Sequence, residues 1–157
     1  MKKIVDINNL SIGKEIGILS RAAHTFFQYQ FKDLSIGPSQ VMTLHFICKH
    51  DGVNQNELVK HSGMDKSSIT CQLKILEKND YITREIDSKD GRGRNIFITE
   101  KTESIEPELI KYFLMWSEIL LQGSNNLEKE QIFQFLDKMI SNANHAIMQL
   151  KNNEENK

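Results

Sequence analysis

The segment from residue 54 to residue 99 constrains the fold most, because it places four local patterns in a fixed order. Two short helical patterns are followed by a strand, a charged turn and a second strand. The strands, Tyr81–Ile86 and Asn95–Thr99, are rich in β-branched or aromatic residues. This order predicts a helix-turn-helix followed by a β-hairpin wing.

The second helix of the pair is predicted to start at Met64-Asp65, where Asp65 can cap free amides, and to end near Asn79. Its apolar positions recur at i, i+4 and i+7 and share one face, and they are Ile69, Leu73 and Leu76. The opposite face carries small polar and cationic residues: Ser67, Thr70, Cys71, Lys74 and Lys78. Such a face can enter a DNA major groove, although a solvated helix face shows the same pattern.

The turn between the strands, residues 87–94, contains two glycines and three cations. The glycines allow the chain to reverse, and Lys89, Arg92 and Arg94 concentrate positive charge. A hairpin tip with this charge is either a solvated loop or a probe of phosphates and the minor groove. Its position directly after a helix-turn-helix favours the probe.

Three motifs occur together in this segment: Asp65–Thr70, the Leu76-Glu77 pair followed by Tyr81–Arg84, and Asp90-x-Arg92-x-Arg94-x-Ile96-x-Ile98-Thr99. Together they resemble the MarR family of transcriptional regulators, and the last motif is the most specific. The order of the flanking helices extends the resemblance over the whole chain. It implies a winged-helix dimer on DNA.

The sequence departs from the family pattern at three positions. Cys71 lies where the family often has an arginine that reaches bases, so the family pattern does not determine which bases this helix contacts. Asp80 replaces the usual glycine, but Asp tolerates a left-handed turn. Thr102 replaces another glycine, so the following helix can begin differently.

Composition fits a globular intracellular protein. With 157 residues and 39% hydrophobic content, the chain can bury a real core. It has no apolar run near the roughly 20 residues that span a bilayer and no visible signal peptide, so we expect a cytoplasmic protein without membrane contact. The formal net charge is −1, and residues 60–101 carry 9 Lys/Arg against 7 Asp/Glu. Nucleic-acid binding must therefore depend on local charge.

Two helices are predicted before this segment, at residues 10–32 and from Pro38 to about residue 50. Two more are predicted after it, at residues 105–122, with Pro107 in the first turn, and at residues 127–150. The polar tail, residues 151–157, is predicted to be frayed. Val53 can form a short strand with the wing, and Asn54 or Asn56 can cap the first helix of the pair. We expect residues 1–34 and 103–157 to form a helical dimerisation region and residues 35–102 the DNA-binding domain.

Catalytic and metal motifs are absent from the sequence. It contains no GxSxG, Walker, GxGxxG or HExxH pattern, so neither an enzyme nor a cofactor is expected. His45 and Cys48 have helical spacing but need two more ligands, which His50 and His61 supply only if the fold brings them close. Cys48 and Cys71 suit reduced thiols, and oxidation of Cys71 would place a bulky group on the proposed DNA face.

These observations predict a mainly α fold with a small β-wing (α+β), namely a winged helix-turn-helix with N- and C-terminal dimerisation helices. The resemblance implies a homodimer on a pseudo-palindromic double-stranded DNA operator, released by a small aromatic or amphipathic effector. The expected DNA contacts are Lys66, Ser67, Ser68, Thr70, Cys71, Lys74, Lys89, Arg92 and Arg94, with Asp90 pairing with Arg94 to hold the wing. The expected effector residues are Phe26, Met42, His45 and Phe113, and no metal is expected. The alternative is a winged-helix protein-interaction module with weak or no DNA binding.

Overall fold

The computed structural model describes residues 11–86 and 93–155, which form six helices and three strands. In chain order these are α1 (Ile12–Gln30), α2 (Pro38–Lys49), β1 (Val53–Asn54), α3 (Gln55–Ser62), α4 (Lys66–Lys78), β2 (Ile82–Ile86), β3 (Arg94–Ile98), α5 (Glu100–Leu120) and α6 (Asn126–Glu155). The predicted mainly α fold with a small wing is confirmed. No helix in the described ranges is long and apolar enough to cross a membrane.

The helix-turn-helix consists of α3 and α4, and local signals set its boundaries. Asn54 Oδ1 accepts a hydrogen bond from the Asn56 amide at 2.9 Å, which caps α3, and Gly63 ends this helix with a φ of 66°. Asp65 caps α4 as predicted. Asp80 follows α4 with a φ of 59°, so it takes the left-handed conformation expected at that position.

The sheet has the strand order β1-β3-β2 and is antiparallel throughout. Val53 lies opposite Ile96, which confirms the predicted short strand beside the wing. Ile82 and Ile96 are buried and join the sheet to the helices. The shared core contains Phe27 of α1 and Phe31 just after it, Val41, Leu44 and Ile47 of α2, Leu58 of α3, Ile69, Leu73 and Leu76 of α4, and Leu109 of α5.

Helix α5 starts at Glu100, five residues before the predicted start, so the prediction that Pro107 lies in its first turn is wrong. The cause is Thr99, whose hydroxyl accepts a hydrogen bond from the Thr102 amide at 3.4 Å and whose carbonyl accepts from the Glu103 amide. Pro107 therefore lies inside the helix, where it has no amide to donate to the preceding turn.

The first turn of α5 is tied to the end of α4 at three consecutive carbonyls. Lys101 Nζ donates to the Asn79 carbonyl at 2.7 Å, and the Thr99 hydroxyl donates to the Asp80 carbonyl at 2.6 Å. The hydroxyl of buried Thr102 donates to the Tyr81 carbonyl. Threonine at position 102 thus supplies a bond that glycine cannot make.

The chain divides into two compact units, the first ending at Trp116 and the second beginning at Ser117. In the second unit, Asn125 and Glu128 form a reciprocal capping box that starts α6. Helix α6 continues to Glu155, so the prediction of a frayed tail is wrong for residues 151–155, whose Lys and Glu residues favour helix. None of the side chains described in α6, residues 126–153, is buried.

Candidate nucleic-acid interface

The exposed face of α4 forms one shallow groove of about 540 Å³. Its lining residues are Lys66, Ser67, Thr70, Cys71 and Lys74. The opposite face of the helix is fixed in the core, since Ile69, Leu73 and Leu76 are fully buried. The structure therefore brings five of the six predicted α4 contacts together on one surface.

Asp65 fixes the start of this groove. Its carboxylate accepts hydrogen bonds from the Ser68 amide at 2.8 Å, the Ser67 hydroxyl at 2.5 Å and the Ser68 hydroxyl at 2.6 Å. These bonds hold the pKa of Asp65 well below its usual range. Ser68, the sixth predicted contact, is half-buried and does not line the groove, so it serves here as part of the cap.

Sequence reasoning missed Gln55, which connects α3 to the groove. Gln55 Nε2 donates to the Thr70 hydroxyl oxygen at 3.0 Å, and that hydroxyl donates to the Lys66 carbonyl at 2.7 Å. Thr70 is therefore held in one orientation on the exposed face. The run of three polar residues from Asn54 to Asn56 was a visible signal, but their partner lies 15 residues from Gln55 along the chain.

A second, smaller cavity of about 200 Å³ connects the helix-turn-helix to the base of the wing. Its lining residues are Asn54, Gln55, Asn56, Lys66, Gly93 and Arg94. Glycine at position 93 leaves room for Asn54, because an added Cβ would lie 2.5 Å from Asn54 Nδ2 and would force that side chain to move. The cavity thus combines the N-terminus of α3 with two cations from other elements, a combination that favours anions.

An ion pair links the wing to α4. The guanidinium of Arg84 on β2 bonds the carboxylate of Glu77 on α4. This hydrogen bond is the main cause that lowers the pKa of Glu77, and Arg94 contributes at longer range. The wing therefore has a fixed attachment to the helix that carries the groove.

Part of the predicted site falls on residues that the structure leaves undescribed. Lys89, Asp90 and Arg92 lie outside the described residues, and with them the predicted pairing of Asp90 with Arg94. Arg94 is described and exposed at the start of β3. The roles given to these four residues remain predictions.

The predicted effector residues separate into two places. The His45 and Phe113 rings stack with centroids 3.8 Å apart, and Phe26 belongs to the same aromatic cluster through Trp116 and Phe27. Met42 instead lines a cavity between α2, α3 and α4. Burial, with a smaller effect of Lys49, lowers the pKa of His45 to about 4, so its ring is neutral near pH 7.

The histidines and cysteines do not form a metal centre in the part of the chain that the structure describes, where no group of three or more candidate ligands is suitably placed. Burial raises the pKa of Cys48 to about 12, which disfavours the thiolate that a metal needs. The fold does bring His50 near His61, with ring centroids 6.2 Å apart. Cys71 is a free, exposed thiol.

Comparison with known proteins places this architecture in a family. A sequence model of the MarR family matches residues 34–93. The chain is 30% identical to a MarR transcriptional regulator from Methanosarcina mazei Go1, covering 84% of this chain and 95% of that one, with a TM-score of 0.76. The chain belongs to the MarR family. As a MarR protein it is a transcriptional regulator, and members of this family are not enzymes.

Two further relatives agree with this assignment. An uncharacterized HTH-type transcriptional regulator of Bacillus subtilis, YybA, is 28% identical over 129 residues, which are 82% of this chain and 86% of YybA. A putative MarR family regulator from Listeria monocytogenes, solved in complex with a 26mer DNA, is 25% identical with a TM-score of 0.85, over 90% of this chain and 95% of that one. The winged-helix fold is shared along most of each chain.

Proposed function

We propose that this MarR protein is a homodimer that binds a pseudo-palindromic operator, with one α4 in the major groove of each half-site and one wing in the flanking minor groove. The observation that carries the proposal is the groove on α4, where two lysines and three small polar side chains share an exposed face. Hydroxyl and ammonium groups of this kind bind phosphates and base edges. The Listeria relative in complex with DNA supports this use of the fold.

The cavity at the base of the wing is the proposed phosphate contact. Lys66 and Arg94 supply charge, and Asn54, Gln55 and Asn56 surround the N-terminus of α3. A phosphate there would be held by the helix-turn-helix and the wing together. Lys89 and Arg92 are proposed contacts on sequence grounds alone.

The proposed dimer uses apolar side chains that one chain leaves exposed. Ile12, Ile16 and Leu19 of α1 are about half exposed, and Phe133 and Phe135 of α6 are 55% and 63% exposed. Monomers seldom leave so many large apolar groups in water. We therefore assign the predicted region 1–34 and 103–157 to dimerisation and 35–102 to DNA binding, and light scattering at micromolar concentration should give the mass of a dimer.

Effector release is proposed through the cluster of Phe26, His45 and Phe113. The neutral His45 ring has a buried Nδ1 without a hydrogen-bond partner among the described residues, beside apolar rings. A small aromatic or amphipathic molecule fits these groups. Phe113→Ala should weaken the effector's release of DNA and leave affinity without effector nearly unchanged, and an equal loss of both would make Phe113 a core residue only.

A protein-interaction module is the second candidate, and Cys71 favours it. Cysteine lines the groove at the position where the family often has an arginine, and the whole chain has a formal net charge of −1. Under this alternative, removing cations from the groove would have little effect on DNA affinity.

The deciding experiment starts by selecting operator fragments from the organism's own genome and then measures their binding by fluorescence anisotropy across a salt series. Lys74→Ala should weaken binding and reduce the slope of log K against log salt by about 0.9, because one phosphate contact is lost. Lys111→Ala removes the same charge from α5, outside the helix-turn-helix, and should change neither quantity. Equal curves for the parent and Lys74→Ala would favour the interaction module.

A further inference from the structure

Three hydroxyl groups lie in or beside the groove on α4, and each donates its single proton within the protein. The Ser67 hydroxyl donates to the Asp65 carboxylate at 2.5 Å, and the Ser68 hydroxyl donates to the same carboxylate at 2.6 Å. The Thr70 hydroxyl donates to the Lys66 carbonyl at 2.7 Å. Because a hydroxyl has one proton to donate, these side chains can accept a hydrogen bond from a base but offer it no donor.

Thr70 is also occupied on the acceptor side of its hydroxyl. Gln55 Nε2 donates to the Thr70 oxygen at 3.0 Å, so this oxygen is bonded to α3 and to the preceding turn of α4 at the same time. These two bonds fix the χ1 rotamer of Thr70. Thr70 lines the groove, and its methyl group, which forms no such bond, is left for contact with DNA.

Cys71 extends the apolar surface that the Thr70 methyl group begins. It follows Thr70 in α4 and lines the same groove, and its thiol is free and exposed. A thiol is a weak hydrogen-bond donor and a weak acceptor, and a free cysteine packs as a small apolar side chain. The methyl group of Thr70 and the thiol of Cys71 thus form a small apolar patch within the groove.

The two lysines of the groove lie on either side of this apolar patch along the helix. Lys66 precedes Thr70 by four residues and Lys74 follows Cys71 by three, so each lies about one helical turn from the patch. Their ammonium groups suit phosphates or guanine edges, and such contacts would hold the patch against the base edges between them. The apolar group that a base presents in the major groove is the 5-methyl group of thymine.

We propose that the apolar patch of Thr70 and Cys71 packs against the 5-methyl group of a thymine in each half-site of the operator. The inference rests on the proposed DNA-binding function and adds to it the base that α4 reads at this position. The other three bases have no methyl group in the major groove. They present donors or acceptors there, which a methyl group and a thiol pair poorly.

The test replaces single thymines of the selected operator by deoxyuridine, which lacks only the 5-methyl group. Burial of one such carbon group is worth a factor of about four in affinity. Fluorescence anisotropy should therefore find one thymine per half-site whose replacement raises the operator Kd about fourfold, or about fifteenfold when both half-sites are changed. Selected operators without a thymine at a fixed position of each half-site, or an unchanged Kd after every replacement, would overturn the proposal.

Two variants of Thr70 assign the effect to its methyl group. Thr70→Ser removes this group and keeps the hydroxyl that bonds Gln55 and Lys66. It should reduce the difference between the thymine and deoxyuridine operators to less than about twofold. Thr70→Val keeps the methyl group and removes the hydroxyl, so it should preserve the difference. A full difference that survives in Thr70→Ser would refute the proposal.

Lys74→Ala is the control for a loss of overall affinity. It removes an ammonium group and leaves the apolar patch, so it should weaken the binding of the thymine and deoxyuridine operators by the same factor. The outcomes also separate this inference from the proposed function. If the operator is bound but no deoxyuridine replacement has an effect, only the thymine contact is refuted. If no operator is bound, the proposed function is refuted, and the thymine contact with it.

Discussion

The buried hydrogen bond between Thr43 and Gln72 predicts an asymmetric pair of mutants. Thr43 on α2 and Gln72 on α4 are 7% and 6% exposed, and the Thr43 hydroxyl donates to Gln72 Oε1. Thr43→Val removes the donor and leaves a buried amide oxygen without this partner. This loss should cost about 2 kcal/mol of unfolding free energy.

Gln72→Leu should cost less. The Thr43 hydroxyl that remains can donate to the carbonyl four residues earlier in α2, and leucine adds apolar burial, so we expect a loss below about 1 kcal/mol. In the double mutant neither partner is left unpaired, and its stability should lie close to that of Gln72→Leu. The coupling energy from the cycle then equals the cost of Thr43→Val alone, about 2 kcal/mol.

Urea unfolding followed by circular dichroism measures these differences at one fixed protein concentration, because the stability of the proposed dimer depends on concentration. With an m value of about 2 kcal/mol/M, Thr43→Val should lower the midpoint by about 1 M. Thr25→Val is the matched control, since Thr25 is exposed and its hydroxyl donates to the Arg21 carbonyl within α1. If Thr43→Val costs no more than Gln72→Leu, the reasoning about the unpaired amide is wrong.

Three further predictions use other contacts. Burial holds the pKa of His45 in the folded state at about 4, below the ordinary histidine value of 6.5, so the unfolded chain binds an extra proton between these pH values. Urea midpoints should therefore fall as the pH drops from 6.5 toward 4, and His45→Phe should reduce that fall. Gly93→Ala should displace the Asn54 side chain and weaken operator binding measured by anisotropy. Gly13→Ala should not, because its added Cβ would lie 4.0 Å from Ser11 Oγ, an ordinary contact. Thr102→Val should lower the melting temperature measured by circular dichroism by several degrees, because the Tyr81 carbonyl loses one hydrogen-bond donor. Thr102→Ser keeps the hydroxyl and should lower the melting temperature much less than Thr102→Val does.

Elements set by neighbouring residues could be predicted from the sequence. The cap at Asp65 and the left-handed turn at Asp80 depend on side chains and backbone preferences within a few positions, and both were predicted correctly. The apolar spacing along α4 likewise identified its buried face. Local chemistry was sufficient in these cases.

Features that depend on distant partners were missed. Gln55 bonds Thr70 across the turn between two helices, and the placement of Met42 depends on how α2 packs against α3 and α4. The early start of α5 follows from the double role of Thr99, which ends a strand pattern and also caps a helix. Sequence spacing contains no information on which of these roles or partners a side chain takes.

The three carbonyls at positions 79–81 have a consequence for protein engineering. They accept hydrogen bonds from the side chains of residues 99, 101 and 102. The Thr99 amide also donates to the Tyr81 carbonyl at 3.2 Å. The two ends of the β2–β3 hairpin are therefore joined to each other at its base. The hairpin thus begins and ends at the same fixed base. A hairpin of another length or charge could be transplanted onto this base without displacing α4 or α5, and such a replacement would change the proposed minor-groove contact alone.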